Sequence, residues 1–170
     1  MPTYFELFGI PESITVDETA LKKQFYALSR KLHPDQSSSE EQLEMERQSA
    51  ELNKGYEVLR HLDTRVKYWL ECQRMMPAEG SHKMSPAFLA EMMDFNEEIM
   101  ELELSFDKDR YQRLQNSATE LQKNWEEDFL QIATDDQLDT QIVIEAAQKY
   151  FFQNRYLLRI LENLNKFANF

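Results

Sequence analysis

Two side chains capable of acid–base chemistry, His33 and Asp35, flank Pro34 in the stretch Leu28-Ser29-Arg30-Lys31-Leu32-His33-Pro34-Asp35-Gln36. An imidazole beside a carboxylate is the pair from which a general base and its orienting partner are built. Across a proline turn, however, the two side chains need not face each other, and no nucleophile or metal-ligand set accompanies them. Cys72 is the only cysteine, so neither an intramolecular disulfide nor a cysteine-based zinc or iron–sulfur site can form within one chain. The chain is therefore expected to be no enzyme and to need no metal and no cofactor. Recognition is the chemistry left to the pair. Pro34 fixes φ and lacks an N–H, Asp35 favours turn geometry, and two polar groups on a stiff turn are offered to a partner at little ordering cost.

The elements that position this turn follow from hydrophobic spacing. Proline pushes the residue before it out of the α region, so a helix arriving through Leu28 and Leu32 should stop near His33. Thr15 followed by Glu18 reads as a capping box for that helix, after which Leu21, Phe25, Leu28 and Leu32 recur at helical spacing. Lys22, Lys23, Arg30 and Lys31 are the only ionised side chains between Ala20 and Leu32. The spacing leaves Lys22, Lys23 and Arg30 on its outer side. A short apolar helix at Tyr4, Phe5, Leu7 and Phe8 precedes it, turned away by Gly9-Ile10-Pro11. After a polar loop from Gln36 to Glu40, a helix from about Glu41 carries Met45, Ser49, Leu52, Tyr56 and Leu59 on one stripe, suited to antiparallel pairing with the basic helix. Leu62 to about Met75 forms another helix.

With 170 residues, only three Gly and five Pro, the chain is expected to be all-α, since strands would demand more turn signals. Met76-Pro77-Ala78-Glu79-Gly80-Ser81 is the best boundary, giving residues 1–76 as a first domain, 77–84 as a linker and 85–170 as a second. Ser85-Pro86 opens a helix with Phe88, Met92, Phe95, Ile99, Leu102 and Phe106 on one face. A second helix carries Tyr111, Leu114, Ala118, Leu121, Trp125 and Ile132. The last carries Val143, Ala147, Tyr150, Leu157, Leu161 and Leu164, interrupted by Asn154. Three long helices with short connections imply a three-helix bundle.

The formal charge of −12 argues against nucleic acid and anionic membrane as partners. No eighteen-residue apolar run and no leader-like start occur, so a soluble, cytoplasmic protein is expected. From Met84 to Asp107 there are seven acids and no Lys or Arg. In that helix Leu89, Met93 and Met100 form a second apolar stripe beside Asp94, Glu97 and Glu101. Apolar anchors bordered by acids have the composition of a docking surface, although the same residues could cover a wide core or pack on the first domain.

The first half, from Tyr4-Phe5-Glu6-Leu7-Phe8-Gly9 through His33-Pro34-Asp35 to Asn53, Tyr56, Leu59, Arg65 and Tyr68, resembles a J-domain, the module that docks on DnaK-type chaperones. Together with Gln48-Ser49-Ala50, Leu59-Arg60-His61 and Ala87-Phe88-Leu89 running to Glu97-Glu98-Ile99, the whole chain is similar to the HscB family of iron–sulfur co-chaperones. The resemblance implies that the J-domain recruits the DnaK-type chaperone HscA through His33, Pro34, Asp35, Lys22, Lys23, Arg30 and Lys31. It implies that the bundle binds the scaffold protein IscU through Leu89, Met93, Asp94, Glu97, Glu101 and Phe152. The function implied is delivery of IscU to HscA with stimulation of the chaperone ATPase. The chain departs from the pattern at Gln36, where Lys is frequent, at Leu62, where Pro often follows the His, and at Ala90, which replaces a bulkier apolar residue. A general J-domain co-chaperone delivering other clients to DnaK is the competing reading, weakened by the lack of a Gly/Phe-rich linker and a Cys-rich module.

Overall fold

The computed structural model describes residues 2–32, 39–78 and 84–168. The His33-Pro34-Asp35 turn, Gln36, and the stretch from Glu79 to Lys83 with Gly80, Ser81 and His82 lie outside the described residues. All regular structure among the described residues is helical: α1 (Tyr4–Phe8), α2 (Glu18–Lys31), α3 (Ser39–Arg60), α4 (Leu62–Cys72), α5 (Pro86–Leu104), α6 (Lys108–Ala133) and α7 (Thr140–Asn165). They divide into two compact units, Met1–Met75 and Met76–Phe170.

In the first unit α1 is bounded by its own chemistry. Thr3 Oγ1 accepts from the Glu6 N–H while Glu6 Oε2 accepts from the Thr3 N–H, and Gly9 ends the helix at φ 61°. The cap of α2 differs from the sequence expectation. Asp17 Oδ1 accepts from the Thr19 and Ala20 amides at 2.9 and 3.0 Å, whereas Thr15 Oγ1 lies 3.0 Å from Ser13 Oγ. A carboxylate directly before Glu18 is the stronger acceptor at the positive end of a helix dipole, so the helix starts two residues later than a Thr15 cap would place it. The third helix begins at Ser39, before the expected Glu41.

α2 lies antiparallel on α3, with Leu21, Leu52 and Leu59 buried and the Phe25 and Tyr56 rings stacked at 4.3 Å. α1 and α4 close the hairpin. Tyr4 stacks on Tyr68 at 4.7 Å and donates its backbone N–H to Tyr68 Oη at 2.9 Å. α3 accepts Tyr4 because residue 55 is glycine: a Cβ there would lie 2.8 Å from the ring. Arg65, only 5% exposed, donates from Nε to the Ile14 carbonyl at 2.7 Å and from Nη1 to the Leu59 carbonyl at 2.6 Å. It thereby ties the segment before α2 to the corner between α3 and α4.

In the second unit Ser85 Oγ accepts from the Phe88 N–H at 3.2 Å, with Pro86 in the first turn, as the Ser-Pro pair predicts. Phe88, Met92, Ile99 and Leu102 of α5 pack with Leu114 and Ala118 of α6 and with Leu157, Ile160 and Leu164 of α7. Phe106 is not part of the α5 stripe: the helix ends at Leu104, and the Phe106 ring instead meets Tyr111 and Phe167 at 6.1 and 6.2 Å. α6 and α7 run 26 residues each against 19 for α5. The N-terminal end of α5 reaches Trp125 and Tyr156 through Phe88, at 5.5 and 5.6 Å. Farther along the hairpin, α6 and α7 pack through Phe129 stacked on Tyr150 at 4.8 Å. Asn154 does not interrupt the α7 stripe. It is buried within it and accepts from Gln122 Nε2 at 3.1 Å, a polar pair that fixes the register of the two helices. Ile144 and Ile160 are buried where Val143 and Leu161 were expected. Over so long a helix an apolar face drifts relative to a seven-residue repeat.

Arg65→Met should orphan the Ile14 and Leu59 carbonyls and cost roughly 2–4 kcal/mol in the first unit, read by urea unfolding through Trp69 fluorescence in a Trp125→Phe background. A loss under about 1 kcal/mol would contradict the role given to Arg65. Burial pushes the Tyr4 and Tyr68 hydroxyls up from 10 to about 12, with Glu51 adding to the effect at Tyr4. Both hold their protons more tightly folded than unfolded, so their contribution is complete below pH 10 and lost as pH rises towards 12. Urea midpoints should fall over that interval, and less steeply in Tyr68→Phe.

Candidate functional site

Two surfaces of opposite charge stand on the two units. On α2 the inward line of Leu21, Phe25 and Leu28 leaves Lys22, Lys23, Arg30 and Lys31 exposed. None of the four forms an ion pair with an acid among the described residues. At about 100° per residue, Lys22, Tyr26 and Arg30 fall in line, and Tyr26 is exposed between the two cations. Sequence spacing alone could have found Tyr26, four residues from each, but aromatics in a helix are ordinarily assigned to the core. Arg30 and Lys31 also lie in the last turn of α2, where the helix dipole favours cations.

Where α2 begins, the basic line adjoins a groove lined by Leu21, Lys22, Tyr56, Arg60 and His61. Arg60 Nε donates to His61 Nε2 at 2.8 Å, its Nη1 to Glu57 at 3.1 Å, and its guanidinium lies 5.9 Å from the Tyr56 ring centre. His61 also occupies the N-cap position of α4.

On α5 the exposure decides between core and surface. Leu89 and Met93 are 42% and 61% exposed, against 4% for the adjacent Met92. The second stripe therefore does not cover a wide core of the bundle. Asp94 and Glu97 are exposed beside it, whereas Glu101 forms an ion pair with Arg110, the third residue of α6. Phe152, half-buried, has its ring against Phe151 at 5.5 Å. Four residues on, Tyr156 is half-exposed with its ring edge-on to Phe88, next to Leu89 in sequence. Neither Tyr156 nor Leu104, the exposed last residue of α5, is singled out by the sequence pattern.

Other chemistry is sparse. Burial pushes the Cys72 thiol up, which disfavours the reactive thiolate. Among the described residues no group of three or more His, Cys, Asp or Glu side chains is placed to hold a metal ion, and no helix is long and apolar enough to cross a membrane.

A four-helix unit with a basic second helix running into His-Pro-Asp defines a J-domain protein, and residues 3–68 match the DnaJ domain family. Residues 84–165 match a second family, the HSCB C-terminal oligomerisation domain, and the chain belongs to the HscB family of J-domain co-chaperones. A co-chaperone protein HscB homolog of Vibrio cholerae is 37% identical over 100 residues, which span 56% of this chain and 58% of that relative. The fold is that of the chaperone HscB from Vibrio cholerae, with a TM-score of 0.74 at 23% identity over 99% of this chain and 98% of that one. Human co-chaperone protein HscB superposes with a TM-score of 0.82 at 23% identity, over 99% of this chain and 83% of that one.

Leu89→Ala and Met93→Ala should each change stability by less than about 1 kcal/mol, whereas Met92→Ala should cost about 2–4 kcal/mol by creating a cavity. Thermal unfolding of the three variants checks the assignment of surface and core. Equal losses at positions 92 and 93 would reverse it.

Proposed function

We propose that this chain is a cytoplasmic, non-catalytic adaptor that binds the iron–sulfur scaffold IscU through its second unit and presents it to the DnaK-type chaperone HscA, whose ATPase it stimulates. The observation that carries the reading is the pairing of two matched families on two separately packed units. Opposite surface charge supports it.

The chaperone end is assigned to His33, Pro34 and Asp35 with Lys22, Lys23, Arg30 and Lys31. A row of exposed cations on a helix steers an acidic surface towards the unit and orients it before close contact. The side chains of His33 and Asp35 then add directional hydrogen-bonding groups. Stimulation needs these contacts to be stronger in the hydrolysis-competent chaperone state than in its alternative. Each tenfold in rate requires about 1.4 kcal/mol of such difference, within reach of a few charge-assisted bonds. Tyr26, lying between Lys22 and Arg30, adds apolar contact area to that face.

The scaffold end is assigned to Leu89, Met93, Asp94, Glu97, Glu101 and Phe152. Leu89 and Met93 supply apolar anchors, and Asp94 and Glu97 select a basic partner. Glu101 differs, because a basic group of the scaffold has to displace Arg110 to reach it. Glu97→Gln is therefore expected to weaken scaffold binding more than Glu101→Gln.

The test is steady-state ATPase of HscA with and without IscU. His33→Gln should abolish stimulation at every concentration, while Leu89→Ala/Phe152→Ala should remove only the synergy with IscU. Stimulation of DnaK without any binding to IscU would replace this reading by a general co-chaperone, and no stimulation of either chaperone would overturn it.

A further inference from the structure

The apolar line on α5 continues past Leu89 and Met93. Leu89, Met93, Met100 and Leu104 follow one another at spacings of four, seven and four residues, so all four fall within about 60° of one another around the helix. The line is about 22 Å long at 1.5 Å per residue. Exposure grows along it, from 42% and 61% at Leu89 and Met93 to 62% and 88% at Met100 and Leu104. The buried line of Phe88, Met92, Ile99 and Leu102 faces the other helices and is complete without any of them. Single exposed apolar residues need no explanation, but four in a row on a strongly charged helix do.

We infer that the scaffold-docking stripe runs the full length of α5, and that Met100 and Leu104 form a second apolar anchor for the same scaffold protein. The inference rests on the docking reading above and extends it to two apolar residues that the reading does not use. Charge decides the occupant. α5 carries Glu91, Asp94, Glu97, Glu98, Glu101 and Glu103 and no Lys or Arg. A second copy of the chain packed symmetrically through this stripe would set acid against acid, and an anionic lipid surface would be repelled. A partner whose apolar patch is bordered by basic groups meets neither obstacle. Arg110 pairs with Glu101 beside this second anchor, and Glu98 and Glu103 stay exposed there, so a partner with basic groups is favoured at this end too.

The experiment measures the affinity of the full chain for apo IscU by isothermal titration, comparing wild type with Met100→Ser/Leu104→Ser and with Leu89→Ala/Met93→Ala, and checks that both variants unfold at the wild-type temperature. About tenfold weaker binding by Met100→Ser/Leu104→Ser supports the extended stripe. Unchanged binding in that variant, with binding lost in Leu89→Ala/Met93→Ala, overturns the extension and leaves the docking reading in place. Unchanged binding in both variants overturns the docking reading itself. Sedimentation equilibrium gives the remaining outcome: if wild type self-associates and Met100→Ser/Leu104→Ser releases monomer without altering IscU affinity, the occupant is a second copy and the inference is wrong.

Discussion

Carrying the Arg65 guanidinium into the first unit removes a full charge from water, and its hydrogen bonds to the Ile14 and Leu59 carbonyls offset part of that cost. A unit of about seventy-five residues has a thin core, so directional constraints of this kind decide how its helices are arranged. The segment leading into α2 is held to the α3–α4 corner, and the Asp17 cap then fixes where the helix begins. From that starting point the helical period alone determines which way Lys22, Tyr26 and Arg30 point. The basic face is thus a consequence of a buried cation some forty residues away in sequence.

Much of this arrangement was legible in the residues. The α5 pattern gave the right buried line from Phe88 to Leu102, and Ser85-Pro86 marked the right start, because both depend only on local spacing and local caps. The α2–α3 pairing was equally visible, since two amphipathic stripes of similar length joined by a short loop have few other partners. The errors share a cause. Thr15 and Glu18 satisfy the capping-box spacing, but that spacing takes no account of the anionic acceptor Asp17 directly before the helix. Phe106 was counted with α5 because periodicity does not mark where a helix gives way to a cap. Asn154 read as a break because a lone polar residue in an apolar stripe shows its partner, Gln122, only when another helix lies alongside.

The surfaces were harder to read than the core, for a physical reason. Periodicity says which residues share a face but not whether anything covers it. Leu89 and Met93 could equally have belonged to a broad core until their exposure was seen. Arg65 was recognisable as a member of a pattern, yet nothing local signals a buried guanidinium, whose partners come from two other segments. Tyr26, Leu104 and Tyr156 carry no surface signal in the sequence for the opposite reason, since large apolar side chains belong to interiors by default.

The unequal helix lengths of the second unit carry a mechanical consequence. Because α5 is seven residues shorter than either α6 or α7, part of that hairpin rests on a single interface where the remainder rests on two. Free energies of local opening follow the number of packed neighbours, so the bundle is graded, firm along α5 and softer towards the connection between Ala133 and Thr140. A load applied to the outer face of α5 is therefore borne by the firm end. The softer end can breathe without disturbing what α5 holds.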